Sequence, residues 1–287
     1  RQMSKLGGSD TCHRTFQPPK AAPLFGDFTM NRNSILALGG TWLASVLLAT
    51  AASAQDGAVE PYIVPAGISA TIRSAVEYAS RAPEQRVRDA QRRPAEILAL
   101  AGVGPADKVI EIAGFGQYYT EILAPLVGTE GSVDMYDLPY TERFGAEGAR
   151  SFIARHSNTN YHLVDYNVAE FPQGVDAVFN VLYYHDLQPN GVDTAAMNSK
   201  LFASLRPGGV YLIIDHKAEA GSGWRDAGTI HRMGVETIVA EVTAAGFELA
   251  LESDLLAHPE DDRSVMVFSP GTRGGTDRAV FVFRKPD

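Results

Sequence analysis

The sequence predicts an α/β domain built on a doubly wound, mostly parallel sheet. Short apolar runs alternate with amphipathic helical segments through most of the chain, the pattern of repeated strand–helix units. The run VIEIAGFGQYYTEILAP, residues 109–125, reads as a buried strand, a glycine turn and a helix. Several strands end on acidic or histidine residues, and ligands of such folds sit beyond the carboxyl ends of the strands.

The elements follow in order. Residues 55–66 form an arm, and Ile68, Ile72, Ala75, Val76 and Ala79 give helical spacing over 68–81. Pro83 and Pro94 punctuate a basic segment, and a short helix at 95–101 closes on Gly102 and Gly104. Strand 109–113 leads through the turn 114–117 into helix 118–127. Strand 133–136 ends on Asp137, a helix covers roughly 141–155, and strand 162–164 ends on Asp165. A fourth strand lies within VDAVFNVLYYHD, 175–186, before a helix at 192–205. Arg206-Pro207-Gly208-Gly209 turns tightly into strand 210–215. The polar loop GSGWRDAGTIHR precedes helix 235–245 and strand 247–252. A Gly-, Asp- and Pro-rich excursion, 254–278, with 265–268 extended, returns to a last strand at 279–285.

Of the 287 residues 45% are hydrophobic, enough for one large core. The net charge is −9. Duplex nucleic-acid binders display a basic face, so no nucleic-acid partner is expected. The arginine-rich RVRDAQRR, 86–93, reads as a solvated helix face. Near the start, Met30-Asn31-Arg32-Asn33, the apolar SILALGGTWLASVLLATAA and Ala52-Ser53-Ala54 form a secretory signal pattern over 30–54. Glycines interrupt its apolar run, against a stable membrane anchor. Residues 1–29 read as an upstream segment ahead of the true start, and 55–287 as a single domain. That domain has lost five basic and two acidic residues, leaving 20 against 32 and a net charge of −12. It has also lost Cys12, the only cysteine, so it forms no disulfide. The expected location is periplasmic or secreted, and cytoplasmic if 30–54 is no signal.

Chemistry-bearing residues gather after strands. Gly114 and Gly116 allow close backbone approach of a ligand or a tight strand–helix turn. The turn lacks the full dinucleotide fingerprint and the P-loop's Gly-Lys-Ser/Thr. Asp137 stands about 20 residues beyond it, where an acid either accepts ribose hydroxyls or caps the next helix. Asp165 either receives an adenine amino group or caps its own turn. If the fourth and fifth strands are neighbours, His185, Asp186, Asp215 and His216 emerge at one rim. A histidine there exchanges protons near neutral pH. Two imidazoles and two carboxylates can also hold a divalent ion, but their spacing matches no recognised metal motif, and no metal ligand is assigned. Trp224 either closes over a substrate or pins its loop.

These features resemble a class I S-adenosylmethionine-dependent methyltransferase through much of 85–285. V-I-E-I at 109–112, the glycine turn, Asp137, Leu205-Arg206-Pro207-Gly208-Gly209 and A-G-F at 245–247 carry the likeness. More narrowly, YYTEILAP (118–125), YYHD (183–186), DHKAEAGSGWRDAGTIHR (215–232) and ESDLLAHPEDDR (252–263) resemble an often exported bacterial group of predicted methyltransferases. The resemblance implies a seven-stranded Rossmann-like sheet with the last strand antiparallel and inserted beside its neighbours. It implies S-adenosylmethionine as cofactor over 113–117, with Asp137 at the ribose and Asp165 near adenine. The cofactor set is then Glu111, Ala113, Gly114, Gly116, Asp137 and Asp165. The family turn carries more glycine where this chain has Ala113, Phe115 and Gln117. Phe115 either points into the core or fills the methionine or ribose position.

The expected function is methyl transfer to a small-molecule acceptor. His185, the favoured base, and His216 are the candidate proton acceptors, with Asp186 or Asp215 orienting the imidazole. The alternatives are a non-catalytic periplasmic binding protein on the same scaffold, and metal-assisted hydrolysis at the His/Asp rim.

Overall fold

The computed structural model describes residues 61–287; the expectations for 1–29, for the signal pattern at 30–54 and for the start of the arm lie outside the described residues. Strands β1 (Lys108–Ile112), β2 (Ser132–Asp137), β3 (Thr159–Leu163), β4 (Val175–Val181), β5 (Leu205–His216), β6 (Glu248–Ser253) and β7 (Arg278–Arg284) make one sheet. Their order is β3-β2-β1-β4-β5-β7-β6. Strands β1 to β5 pair in parallel, and β7 inserts antiparallel between β5 and β6. The doubly wound, seven-stranded sheet with an antiparallel last strand is therefore as expected.

Side-chain alternation along the strands divides the core between two faces. On one face Phe179 and Leu212 meet Ile97 and Leu98 of α4 (Pro94–Ala101) and Ile122 and Leu123 of α5 (Thr120–Val127). On the other, Tyr211, Ile213 and Phe281 meet Leu201 of α8 (Thr194–Ser204) and Ile238 and Val242 of α10 (Val235–Ala244). Each such buried side chain contributes about 1.5–3 kcal/mol. Beyond its exposed first residue Lys108, the central strand β1 is apolar on both faces except at the buried Glu111. Helix α6 (Glu142–Ile153) covers the sheet beside β3.

Boundaries differ from the sequence reading where polar residues carry the ladder. Strand β3 begins at Thr159, because Thr159, Asn160 and Tyr161 pair with β2 despite lacking an apolar run. Arg206–Gly209 does not end a turn before the fifth strand but lies within it: Leu205 pairs with Val175, then the register slips before Val210 meets Ala177. Gly208, at φ 71°, supplies the kink. The first helix is short, α1 (Ala70–Val76), started by Ser69 Oγ accepting from Ile72 N–H. Single helical turns α2 (Pro83–Arg86), α3 (Asp89–Arg92), α7 (Tyr184–Leu187) and α9 (Ala227–Ile230) occupy stretches read as basic segment, strand end and loop. Residues 265–268 are not a strand. No helix among the described residues is long and apolar enough to cross a membrane.

Candidate active site

The winding reverses between β1 and β4, and a crevice opens beyond their carboxyl ends. A cavity of about 230 Å³ lies there, bordered by the glycine turn, Glu111, Tyr183 and the histidines. The turn is one 3₁₀ turn, Gly114–Gly116, flanked by Ala113 at φ 59° and Gln117 at φ 48°. Those left-handed residues are strained without glycine's freedom. Gly114 is required, since a Cβ would come within 2.9 Å of Met135 Cγ. At Gly116 a Cβ would meet nothing within 4 Å, so the backbone there is open to a ligand.

Both acids expected at a cofactor are buried. Glu111 accepts a hydrogen bond from Thr120 Oγ1 at 2.5 Å, and burial pushes its carboxyl up to about 7. Asp137 has no exposed surface; its Oδ1 accepts the Phe115 N–H at 3.1 Å. Its Oδ2 makes no direct hydrogen bond; burial raises this carboxyl to about 7, against the opposing pull of the nearby Tyr161 hydroxyl and the Phe115 and Gly114 N–H groups. The Phe115 ring lies over the turn, 5.2 Å from the Phe144 ring and 6.2 Å from the Tyr183 ring, with its Cβ against Gly145. Of the two positions left open for Phe115, these contacts match the core-facing one: the ring packs, half-buried, against the core cluster that includes Tyr183 while one edge borders the cavity. Asp165 does not join the cavity: it is exposed, and its Oδ1 accepts the Asn167 N–H at 2.9 Å, the capping alternative.

The four residues expected at the β4/β5 rim do come together. Asp215 accepts the backbone N–H groups of His185 and His216, each at 2.7 Å, and the His185 Nδ1–H at 2.6 Å. That bond leaves His185 Nε2, the nitrogen Asp215 does not hold, on the cavity side. Burial opposes a charge on His185, but the Asp215 carboxylate outweighs it and holds the pKa above the ordinary histidine value. His216 behaves oppositely. Burial, aided by the charges of His185 and nearby arginines, drives it well below that value, and Thr276 Oγ1 holds its Nδ1 at 2.8 Å. It stays neutral.

His231, which the sequence reading did not assign to the site, completes the rim from the loop after β5. Its backbone is left-handed at φ 55°, and its Nδ1 lies 3.0 Å from Asp186 Oδ1 and 3.3 Å from His185 Nε2. His185 Nε2 and Asp186 Oδ1 are 3.6 Å apart. These three atoms can share one metal ion. Chain separation hides the association, because His231 follows His185 by 46 residues. Trp224 pins its loop: Nε1–H donates to Glu241 Oε1 at 2.7 Å, and the ring stacks on Tyr184.

The arginine-rich segment is not simply a solvated face. Arg81 pairs with Asp89 through two bonds of 2.8 Å, and the Tyr118 hydroxyl donates to Asp89 Oδ1 at 2.6 Å. This anchor turns Arg88 and Arg92 over the Tyr118 ring and into the cavity wall. The late excursion closes the opposite wall, held by Arg232 on Asp261 at 2.7 Å and by Arg263 on Asp277 at 2.8 Å. Phe268 comes from that excursion.

No family model matches the chain, and no curated protein matches it. Solved structures do. The chain is similar to a protein from Galdieria sulphuraria proposed to be a sarcosine dimethylglycine methyltransferase, at 17% identity and a TM-score of 0.51, over 74% of this chain and 90% of that one. It is similar to the proposed methyltransferase of Haloferax volcanii solved with the Trm112 methyltransferase activator, at 15% identity and a TM-score of 0.50, over 76% and 98%. A SAM-dependent methyltransferase from Aquifex aeolicus matches at 16% identity and a TM-score of 0.48, over 66% and 87%. At these identities the likeness is one of fold: the chain has the Rossmann-like sheet of S-adenosylmethionine-dependent methyltransferases.

Proposed function

We propose that the protein transfers a methyl group from S-adenosylmethionine to a small-molecule acceptor, with His185 as the base. The observation that carries this is the His185–Asp215 pair beside the glycine turn. Asp137 Oδ2 supports the cofactor: it is a buried acceptor without a partner, and ribose hydroxyls are donors. Gly116 borders the cavity and is open to it. Glu111, Ala113, Gly114, Gly116 and Asp137 would hold the cofactor, with the Phe115 ring moved aside. When bound, S-adenosylmethionine supplies an electrophilic methyl group. The chain's own part is to align the acceptor and to take its proton at His185 Nε2, while Asp215 stabilises the resulting imidazolium. The narrower likeness to an exported group rests on the sequence stretches alone. N-terminal sequencing of periplasmic and cytoplasmic fractions tests it, and an intact 30–54 segment would contradict it.

Turnover against a library of small hydroxyl and amine acceptors, read as formation of the demethylated cofactor, tests the reading. His185→Ala should lower turnover by about 10²–10⁴-fold with cofactor affinity unchanged. Equal turnover would remove His185 as base.

One observation favours a second reading, metal-assisted hydrolysis. A tetrahedral zinc ion with bonds of about 2.0–2.1 Å sets its ligands roughly 3.3 Å apart. The 3.0, 3.3 and 3.6 Å separations among His185 Nε2, Asp186 Oδ1 and His231 Nδ1 bracket that value. Stoichiometric zinc in protein purified without a metal-affinity tag, lost in His231→Ala, would favour hydrolysis over methyl transfer.

A further inference from the structure

A second cavity, of about 330 Å³, adjoins the first. The two share Arg88, Arg92, Leu182, His216 and Phe268, but the second touches no residue of the 113–117 turn. Arg273 and Arg278 line it as well. We propose that this outer compartment binds an oxyanion group, a carboxylate or a phosphate, carried by the small-molecule acceptor, through Arg88, Arg92, Arg273 and Arg278.

Charge balance carries the inference. Arg81, Arg93, Arg232 and Arg263 each meet a carboxylate within 2.9 Å. Among the described residues the four cleft arginines meet none. Arg88 donates to Gln85 Oε1 and lies over the Tyr118 ring, and Arg92 lies 4.5 Å above that ring. Arg278 donates to the carbonyls of Gln91 and Gly274 and faces His258 Nε2. Four guanidinium groups thus converge on one cavity in a chain of net charge −9. Burial, with repulsion from Arg92, pushes Arg88 and Arg278 down to about 10, and burial lowers Arg92 too. Glu111 borders the inner cavity, but Thr120 holds it and burial drives it toward the neutral form, while Asp89 beside Arg92 and Asp277 beside Arg278 are already paired with Arg81 and Arg263. The remaining positive charge is unfavourable unless an anion answers it, and a guanidinium fork matches carboxylate and phosphate oxygens in pairs. Because the compartment avoids the glycine turn, this anion is separate from the cofactor.

Calling the anion's carrier the acceptor rests on the methyl-transfer reading; anion binding itself does not. The test is titration calorimetry of succinate, inorganic phosphate and neutral succinamide into the full chain, with no methyl donor present. Arg273 is exposed, so Arg273→Gln leaves the core intact, and Arg88→Gln is the second variant. Wild type should bind succinate or phosphate, the tighter of the two naming the anion class, with succinamide silent. Each variant should weaken that binding about tenfold or more, and Arg273→Gln, which lies outside the first cavity, should leave S-adenosylmethionine affinity unchanged. The proposal is overturned if neither anion binds wild type at millimolar concentration, if succinamide binds equally well, or if both variants bind like wild type. Anion binding without any methyl transfer would sink the proposed function and leave this site standing.

Discussion

His185 owes its chemistry to Asp215. The carboxylate fixes the tautomer through Nδ1 and raises the pKa against the pull of burial. A base must be unprotonated to act, so turnover should climb with pH through an inflection above the ordinary histidine range. Asp215→Asn should move that inflection down and lower the maximal rate by about 10²-fold or more; a pH–rate profile with an unmoved inflection would contradict the pairing. Phe115 makes the opposite kind of demand. Its ring borders the cavity beside Tyr183, so Phe115→Ala should tighten S-adenosylmethionine binding, by roughly tenfold if ring displacement costs about 1.4 kcal/mol. Weaker binding in the variant would mean that the ring supports the cofactor. Most of this site was legible in the sequence, because His185, Asp186, Asp215 and His216 each follow or end a strand. Asp165 was legible only as an alternative between adenine contact and cap, and the local bond to Asn167 satisfies the cap. His231 was not assigned, since nothing local distinguishes a histidine in a polar loop from one that reaches a site.

At the scale of elements, the segment 83–93 is fixed by one buried ion pair. Arg81 and Asp89 are bonded through both nitrogens and nearly free of solvent, with Tyr118 completing the carboxylate. Removing one partner leaves a buried charge, so Asp89→Ala should destabilise the fold by about 3–5 kcal/mol, read by chemical denaturation. A loss below about 1 kcal/mol would mean that the segment is anchored elsewhere. The strands were legible because β1, β4 and β5 carry short apolar stretches at their centres, Val109-Ile110, Ala177-Val178-Phe179 and Val210–Ile214. The polar start of β3 and the kink at Gly208 were not, because tertiary pairing there overrides local composition. The arginine face was misread for a related reason. The wall it faces comes from the excursion 254–278, whose path is set by Arg232–Asp261 and Arg263–Asp277 rather than by any periodicity.

Across the whole molecule, two buried acids tie stability to pH. Glu111 and Asp137 titrate near 7 in the folded chain and near 4 when unfolded. Between those values the folded state holds protons that the unfolded state has released, so stability falls as pH rises from about 4 to about 7. Asp137→Asn removes one of these groups and should flatten that fall by on the order of 4 kcal/mol. Parallel pH dependences of melting for the two proteins would contradict the burial of this carboxyl. The same substitution bears on function, because Asn would present an amide donor where Asp137 offers its unpartnered oxygen. The most direct measurement is therefore titration calorimetry of S-adenosylmethionine into folded, monodisperse full-length wild type and Asp137→Asn. The account predicts one saturable site of micromolar affinity, weakened tenfold or more in the variant. No binding to wild type, or equal binding to both, would contradict a cofactor site at the glycine turn.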